Sequence, residues 1–423
     1  MNQRLFDYIA ASPTAYHAVA HTASLLRREG YTELCESAEW NLEKGGRYFV
    51  TRNGSSLIAF RMPKGEFGGF MMTAAHGDSP CFKIKENGTL ADTHYVRLST
   101  EKYGGMLCAP WMDRPLSVAG RVTVRTENGI SVKNVDLAHP IAIIPNVAIH
   151  MNRAANDGMK YNPAVDMLPL VSTDKEASLM AQVAEAAGVD PLDIATTDLF
   201  VYTPDRGVEW GDLISAPRLD DLQCSFASLV AFTEAKEVAN LPVYCLFDNE
   251  EVGSETKQGA ASTFLFDVLT RIVPDTATYR RKIASSFLVS CDNAHAVHPN
   301  HPEYSDKNHS VYMNGGIVIK YNANQKYTTD AVSSGIFRLI CEKANVPVQE
   351  YANRADMPGG STLGNIANTQ VSLNTVDIGL AQLAMHSAFE TAGARDTVHM
   401  VSGLKQFFET SLTMESDGSY TLK

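Results

Sequence analysis

Cysteine is sparse and unpatterned in this chain: seven residues, at positions 35, 81, 108, 224, 245, 291 and 341, with no Cys-x-x-Cys pair among them. An odd, scattered set argues against a disulfide framework and against a thiolate zinc site, and reads as reduced, buried small side chains. Long hydrophobic runs are missing as well. The longest extend over roughly ten residues and are broken by Pro, Asn or Asp, well short of the ~20 that cross a bilayer, so no membrane span is expected. The opening MNQRLFDYIAASP has neither a basic patch leading into an apolar run nor a small-residue cleavage site, which makes the cytoplasm the expected location. Basic blocks are absent and the net charge is -12, which argues against nucleic acid as a partner. What remains is ordinary globular material: 423 residues, 44% hydrophobic and 20% charged, too long for one simple core and therefore expected to form two domains.

The N-terminal segment reads as a helix capped by Ser12, entered through Pro13 and closed by Gly30. RYFVTRNGSSLIAF has the pattern of a hairpin around Asn53-Gly54, and GGFMMTAAH that of a buried strand ending at His76. From about residue 90 to about residue 213 the texture changes to short β-branched runs punctuated by Asn-Gly or Pro, followed by one helical stretch ending at Gly188. Residues 90–213 are therefore expected to form an inserted, β-rich domain, with 1–89 and 214–423 making up a discontinuous core. In that core, apolar strands (LPVYCLFD, SSFLVSCD, GGIVIKYN) alternate with helical patterns, DLQCSFASLVAFTEAKEV among them. Such alternation predicts an α/β, doubly wound fold with helices on both faces of the sheet.

Acids and histidines recur where those strands end. His76-Gly77-Asp78 follows an apolar strand; side chains two apart on extended chain share a face, so Asp78 is placed to accept the imidazole N–H and leave the other ring nitrogen for a metal. Asp248-Asn249-Glu250-Glu251 closes a second apolar strand, and adjacent carboxylates there would divide labour between holding a cation and taking a proton from water. Asp292 ends a third strand, Asp220-Asp221 precedes a helical run, and His386 stands before Ser387-x-x-Glu390. That last spacing is a capping box, which predicts a helix beginning near Ala388 and leaves His386 in the loop before it. Singly, each residue serves equally well as a loop, turn or cap residue. Together they form an oxygen and nitrogen donor set without thiolate, suited to two catalytic zinc sites bridged by a shared carboxylate.

The stretches HGDSPCFKIK, YGGMLCAPWMDRPLSVAGRV, IPNVAIHMNR, PRLDDLQCSF, FDNEEVGSET, DNAHAVHPN, NGGIVIKYN and LAMHSAFE, in this order, resemble the aspartyl aminopeptidase family of dizinc metallopeptidases over nearly the whole chain. The resemblance implies one zinc ion at His76 and Asp292, a second at Glu251 and His386, and Asp220 bridging them. Co2+ or Mn2+ would be substitutes. It further implies Glu250 as general base toward the attacking water, Asp78 as the residue orienting His76, and peptides as substrates. The insert would be a dimerisation domain, the dimers would build a tetrahedral dodecamer, and His150 would reach into a neighbouring subunit's site. Residues 357–364 (MPGGSTLG) resemble that family's glycine-rich active-site turn, able to approach a substrate main chain closely.

Asn324 stands where family members preferring acidic N-terminal residues have a lysine, with Lys326 two positions on, so acidic and neutral N-terminal residues both stay open as substrates. Asp221 occupies a position where the family often has Asn. Among the clustered histidines 295, 298, 301 and 309, the prolines at 299 and 302 disfavour an all-histidine metal site; His295 and His298 are expected to line the cleft. Two other functions fit the same residues: a dizinc amidase acting on small non-peptide amides, and a non-catalytic self-assembling shell or cargo protein.

Overall fold

The computed structural model describes residues 1–236 and 239–423, so the last two residues of the predicted helical run 221–238 lie outside the described residues. Its centre is four parallel strands in the order Leu241–Phe247, Phe70–His76, Phe287–Cys291 and Asn374–Leu383. Every residue of the first three is buried, as continuous apolar runs demand when helices cover both faces. The cover is as the alternation predicted. Helices Asn2–Ala10, Ala15–Arg28, Leu219–Glu234, Ala331–Lys343 and Asp396–Phe408 pack on one face, and Phe264–Ile272, Thr276–Ala284 and Leu363–Ala367 on the other. Phe247, Phe264, Phe287 and Phe337 are at most 1% exposed, each contributing about 1.5–3 kcal/mol by burial.

Register decides where the chemistry lies. Phe247 pairs with His76, and Cys291 with Ile378, so the carboxyl ends of the four strands share one edge, the edge at which open α/β sheets bind ligands. The hairpin Arg47–Arg52/Ser56–Arg61 extends the same sheet antiparallel to Leu241–Phe247, with Asn53 and Gly54 both at positive φ in its turn.

A second, six-stranded antiparallel sheet is made by Gly129–Asp136, Ser117–Thr126, Ile194–Tyr202, Cys81–Ala91, Val96–Tyr103 and Leu170–Ser172. It has its own core around Phe82, Trp111, Val118 and Leu199. Its helix, Leu179–Ala187, starts at Ser178, whose side chain accepts from Ala181 N–H, and ends at Gly188 in the left-handed conformation, the stop expected there. The span of this sheet differs from residues 90–213 at both ends: its first strand begins at Cys81 and its last ends at Tyr202, whereas Val208–Trp210 and Leu213–Ala216 join the large sheet.

The N-terminus departs from the single expected helix. Two helices, Asn2–Ala10 and Ala15–Arg28, flank Ser12 and Pro13, and Thr14 rather than Ser12 is the N-cap residue. Proline disfavours helical geometry at the residue before it, while Leu5, Tyr8 and Ile9, all buried, carry the i, i+3, i+4 stripe of an amphipathic helix. Among the described residues no helix is long and apolar enough to cross a membrane.

Candidate metal centre

The shared edge gathers the acids and histidines that end its strands. His76 closes one strand, Asp292 follows another, Glu250 and Glu251 form a short turn after Phe247, and His386 follows the strand ending at Leu383. Asp220 enters from the start of Leu219–Glu234, next to a cis Asp220–Asp221 peptide. His76 Nε2 lies 3.7 Å from Asp220 Oδ1, while His386 Nε2 lies 3.3 Å from both Asp220 Oδ2 and Glu251 Oε2. The donor atoms of His76, Asp220 and Asp292 sit within 4.8 Å of one another, as do those of Asp220, Glu251 and His386. Glu250 joins His76 and Glu251 in a third such group. The two oxygens of Asp220 thus face different histidines. These gaps exceed the usual N–H···O length and lie close to the edge, about 3.3–3.6 Å, of a tetrahedron with ligands at zinc distances, the 3.7 Å gap of His76 slightly beyond it.

Electrostatics independently asks for cations. Asp220 Oδ1, Asp221 Oδ1 and Glu251 Oε1 are buried with no hydrogen-bond partner among the described residues, a costly state for a carboxylate without a compensating charge. Burial, with Asp292, Asp78 and Asp220 nearby, pushes Glu250 up to about 8. Burial raises Asp292 to about 6, against the pull of Lys320, and burial with the Asp220 charge lifts Glu251 well above the usual carboxylate range. For Asp220 burial acts in the same upward direction, but His386 and His76 outweigh it and hold the group below its usual value. Burial opposes charge on His386, yet Asp220 raises that imidazole to about 9. Carboxylate and imidazole donors with no thiolate, close-set and short of partners, fit two divalent ions with Asp220 between them.

Residues outside these donor groups hold this geometry. Asp78 was expected to accept from His76; the ring Nδ1 lies 3.1 Å from the Asp78 carbonyl oxygen and 3.4 Å from Oδ1. The carboxylate chiefly accepts elsewhere: from Tyr103 O–H at 2.7 Å and from the backbone N–H groups of Glu250 and Glu251, each at 3.2 Å. Asn249, left-handed at φ 61°, donates to Tyr103 Oη and accepts from Thr256 and Gln258, so the turn that aims the two glutamates is tied on both sides. Tyr103-Gly104-Gly105 comes from the second sheet. At Gly104, φ +76°, a Cβ would stand 3.1 Å from Glu251 Cβ, and Gly105 O accepts from His386 Nδ1–H at 2.5 Å. Sequence reasoning assigned these three residues no role. Asp221, fully buried, accepts from His76 N–H at 3.2 Å and belongs to neither donor group that contains Asp220.

The helix expected near Ala388 is not there. Glu390–Gly393 is a strand paired with Leu213–Ala216, with Glu390 opposite Ala216, and the Glu390 carboxylate accepts from the backbone of His386 (2.7 Å) and Asp220 (3.0 Å). Long-range strand pairing overrides the local cap signal of the Ser-x-x-Glu spacing here. His386 itself does lie in a loop, at φ 67°.

Beside the centre a cavity of about 280 Å³ is lined by Glu250, Asp292, His295, Lys320 and Tyr327, with Gly360, Ser361 and Thr362 of the glycine-rich turn. His298 is not at this cleft: it is exposed, in a tight turn where it bridges His301, the two rings 5.3 Å apart. Lys320, 2% exposed, was also missed; its ammonium donates to the carbonyls of Asp292 (2.8 Å) and Asn293 (3.1 Å). His150 is exposed on the loop before Met151 and lines no part of this cleft. Asn324 and Lys326 are exposed.

Comparison with known proteins bears on this centre. The model of the aminopeptidase I zinc metalloprotease family (M18) matches residues 8–408. The chain is 43% identical over 421 residues to a probable M18 family aminopeptidase 2 of Clostridium novyi, covering 96% of this chain and 97% of the relative. It is 42% identical over 423 residues to the Pseudomonas aeruginosa protein of the same description, covering 97% and 98%. Among solved structures, a chain of the Ape4 and Nbr1 complex superposes with a TM-score of 0.93 at 34% identity, over 96% of this chain and 85% of that one. The mApe1 dodecamer of S. cerevisiae gives 0.83 at 28% identity, over 96% of each chain. An acid-and-imidazole centre at a sheet edge, in a chain matched from end to end in this way, places the protein in the M18 family of aminopeptidase I zinc metalloproteases, as a zinc-dependent aminopeptidase.

Proposed function

We propose that the chain removes N-terminal residues from peptides with two zinc ions, one held by His76 and Asp292, the other by Glu251 and His386, with Asp220 shared. The observation that carries this reading is the division of Asp220, one oxygen toward His76 and the other toward His386. Bound zinc would supply Lewis acidity, lowering the pKa of the attacking water and offsetting charge on the carbonyl oxygen. Glu250, facing the cleft from a turn anchored through Asp78, accepts the proton of that water and returns it to the leaving amine. Asp78 and Tyr103 keep the Glu250–Glu251 turn in place, and Gly360 and Ser361 offer close approach for the substrate main chain. Co2+ or Mn2+ would substitute, since oxygen and nitrogen donors accept all three.

We also assign residues 90–213 to a dimerisation domain and the assembled protein to a dodecamer, with His150 acting in a neighbouring subunit's site. Supporting this are the dodecamer named for the S. cerevisiae relative and exposed apolar side chains on the second sheet and its loop: Ile130, Val132, Ile149 and Met151. Seven cysteines, all unpaired, support the cytoplasm as location.

One assay tests the reading against a dizinc amidase acting on the same centre. Peptides with free and with N-acetylated termini, spanning acidic and neutral first residues, are incubated with zinc-loaded protein and the products identified. Release of the first residue from free-amine peptides alone, lost with chelator and restored by zinc, is the expected result; equal cleavage of the acetylated set would replace the aminopeptidase with an amidase. In the same preparation native mass should be twelvefold that of the 46.1 kDa chain. A monomer of full activity would remove both the assembly and the trans role of His150.

A further inference from the structure

Two buried carboxylates in this centre grip backbone rather than face the donor groups. Asp78 accepts the N–H groups of Glu250 and Glu251. Glu390, 1% exposed, accepts those of His386 through Oε1 and of Asp220 through Oε2. The fold delivers Glu390 there by strand pairing, since opposite Ala216 it stands beside the chain that runs through Pro217 and Arg218 into Asp220. Its two oxygens therefore join, through their peptide groups, the late histidine and the shared acid, whose side chains are 3.3 Å apart. His386 is held at positive φ, which non-glycine residues adopt only when surroundings favour it, and the bond from its N–H to Glu390 is the shorter of the two.

We propose that Glu390 is a positioning residue for the ion on the His386 side: it sets the separation of His386 and Asp220 and thereby the affinity of that site, while Asp78 fixes the Glu250–Glu251 turn. This rests on the two-ion reading above. Glu390→Gln preserves shape but replaces one accepting oxygen with an N–H2 that faces a backbone donor. Removing a partner that orients a ligand commonly lowers metal affinity about 10–100-fold.

The test is zinc content per chain after dialysis against a graded metal buffer, for the parent, E390Q and E390D, with far-UV circular dichroism as a check on folding. The parent is expected to retain two ions across the range. E390Q is expected to pass through a plateau of one ion, its weaker site shifted about 10–100-fold, with activity restored by added zinc; E390D, which keeps both oxygens, is expected to lie between. Loss of both ions from E390Q in one step at the parent's zinc concentration would overturn the inference. So would failure of both variants to fold, which would assign Glu390 to the fold instead of the site. A parent that holds no zinc would instead defeat the two-ion reading itself, so the two failures are distinguishable.

Discussion

Glu250→Gln is expected to lower kcat by about 10²–10⁴-fold, the usual contribution of a general base, while zinc content stays at the parent's value. The substitution keeps the side chain's length and leaves the turn's backbone bonds to Asp78 untouched. What it removes is the proton acceptor: a neutral amide cannot take up the proton of the attacking water. Steady-state kinetics paired with metal analysis separates this from a structural effect. Full turnover in a normally loaded variant would show that the base is another group; loss of an ion would place Glu250 among the ligands, as its grouping with His76 and Glu251 geometrically permits.

Removing the metal is the second large effect, and its sign with pH is opposite in the two forms of the protein. Burial raises Glu250 to about 8, Asp292 to about 6 and Glu390 to about 8, against about 4 for such groups in an unfolded chain. A carboxyl group raised on folding stabilises fully below its unfolded value, and that contribution is lost as pH rises through the folded value. Asp220, shifted downward, has the opposite sign, but its contribution changes only below about pH 4 and is constant over the range in which the others are lost. The chelated chain is therefore expected to lose thermal stability between pH 5 and 8. Zinc requires the deprotonated ligands, so its stabilisation grows over the same interval. With each free ion about 1,000-fold above its Kd the two sites contribute roughly 8 kcal/mol, a Tm difference on the order of 10 °C for a chain of this size at pH 8. Thermal unfolding with zinc or chelator at pH 5, 6.5 and 8 checks both signs. A zinc effect larger at pH 5 than at pH 8 would contradict the assignment of carboxylates as ligands.

The parts of the centre legible in the sequence are those written locally. GGFMMTAAH, LPVYCLFD and SSFLVSCD read as buried strands because no charged residue interrupts them, and an acid or histidine at the end of such a run has one place to go, the sheet edge. The parallel pairing of the strands ending at His76 and Phe247 follows from the same alternation of strand and helix, though their register does not. What escaped was non-local. Tyr103 reaches Asp78 only because a strand of the second sheet ends over the centre, and no spacing in the sequence encodes that approach. Glu390 carries a helix-cap pattern that its pairing with Leu213–Ala216 overrides, turning an expected cap into a clamp on the backbone of His386 and Asp220. Lys320 read as one more residue of an apolar strand, yet its ammonium is buried against Asp292. Proximity to Asp292 in the sequence points His298 to the cleft, but the turn in which it bridges His301 leaves it exposed.

The most direct measurement is an anomalous difference map at the zinc absorption edge from crystals grown with zinc. Two peaks per chain are expected, one enclosed by residues 76, 220 and 292, the other by residues 220, 251 and 386, with an Asp220 oxygen bonded to each. A single peak, or a pair from which the Asp220 carboxylate is absent, would contradict the shared-carboxylate centre on which the proposed chemistry depends.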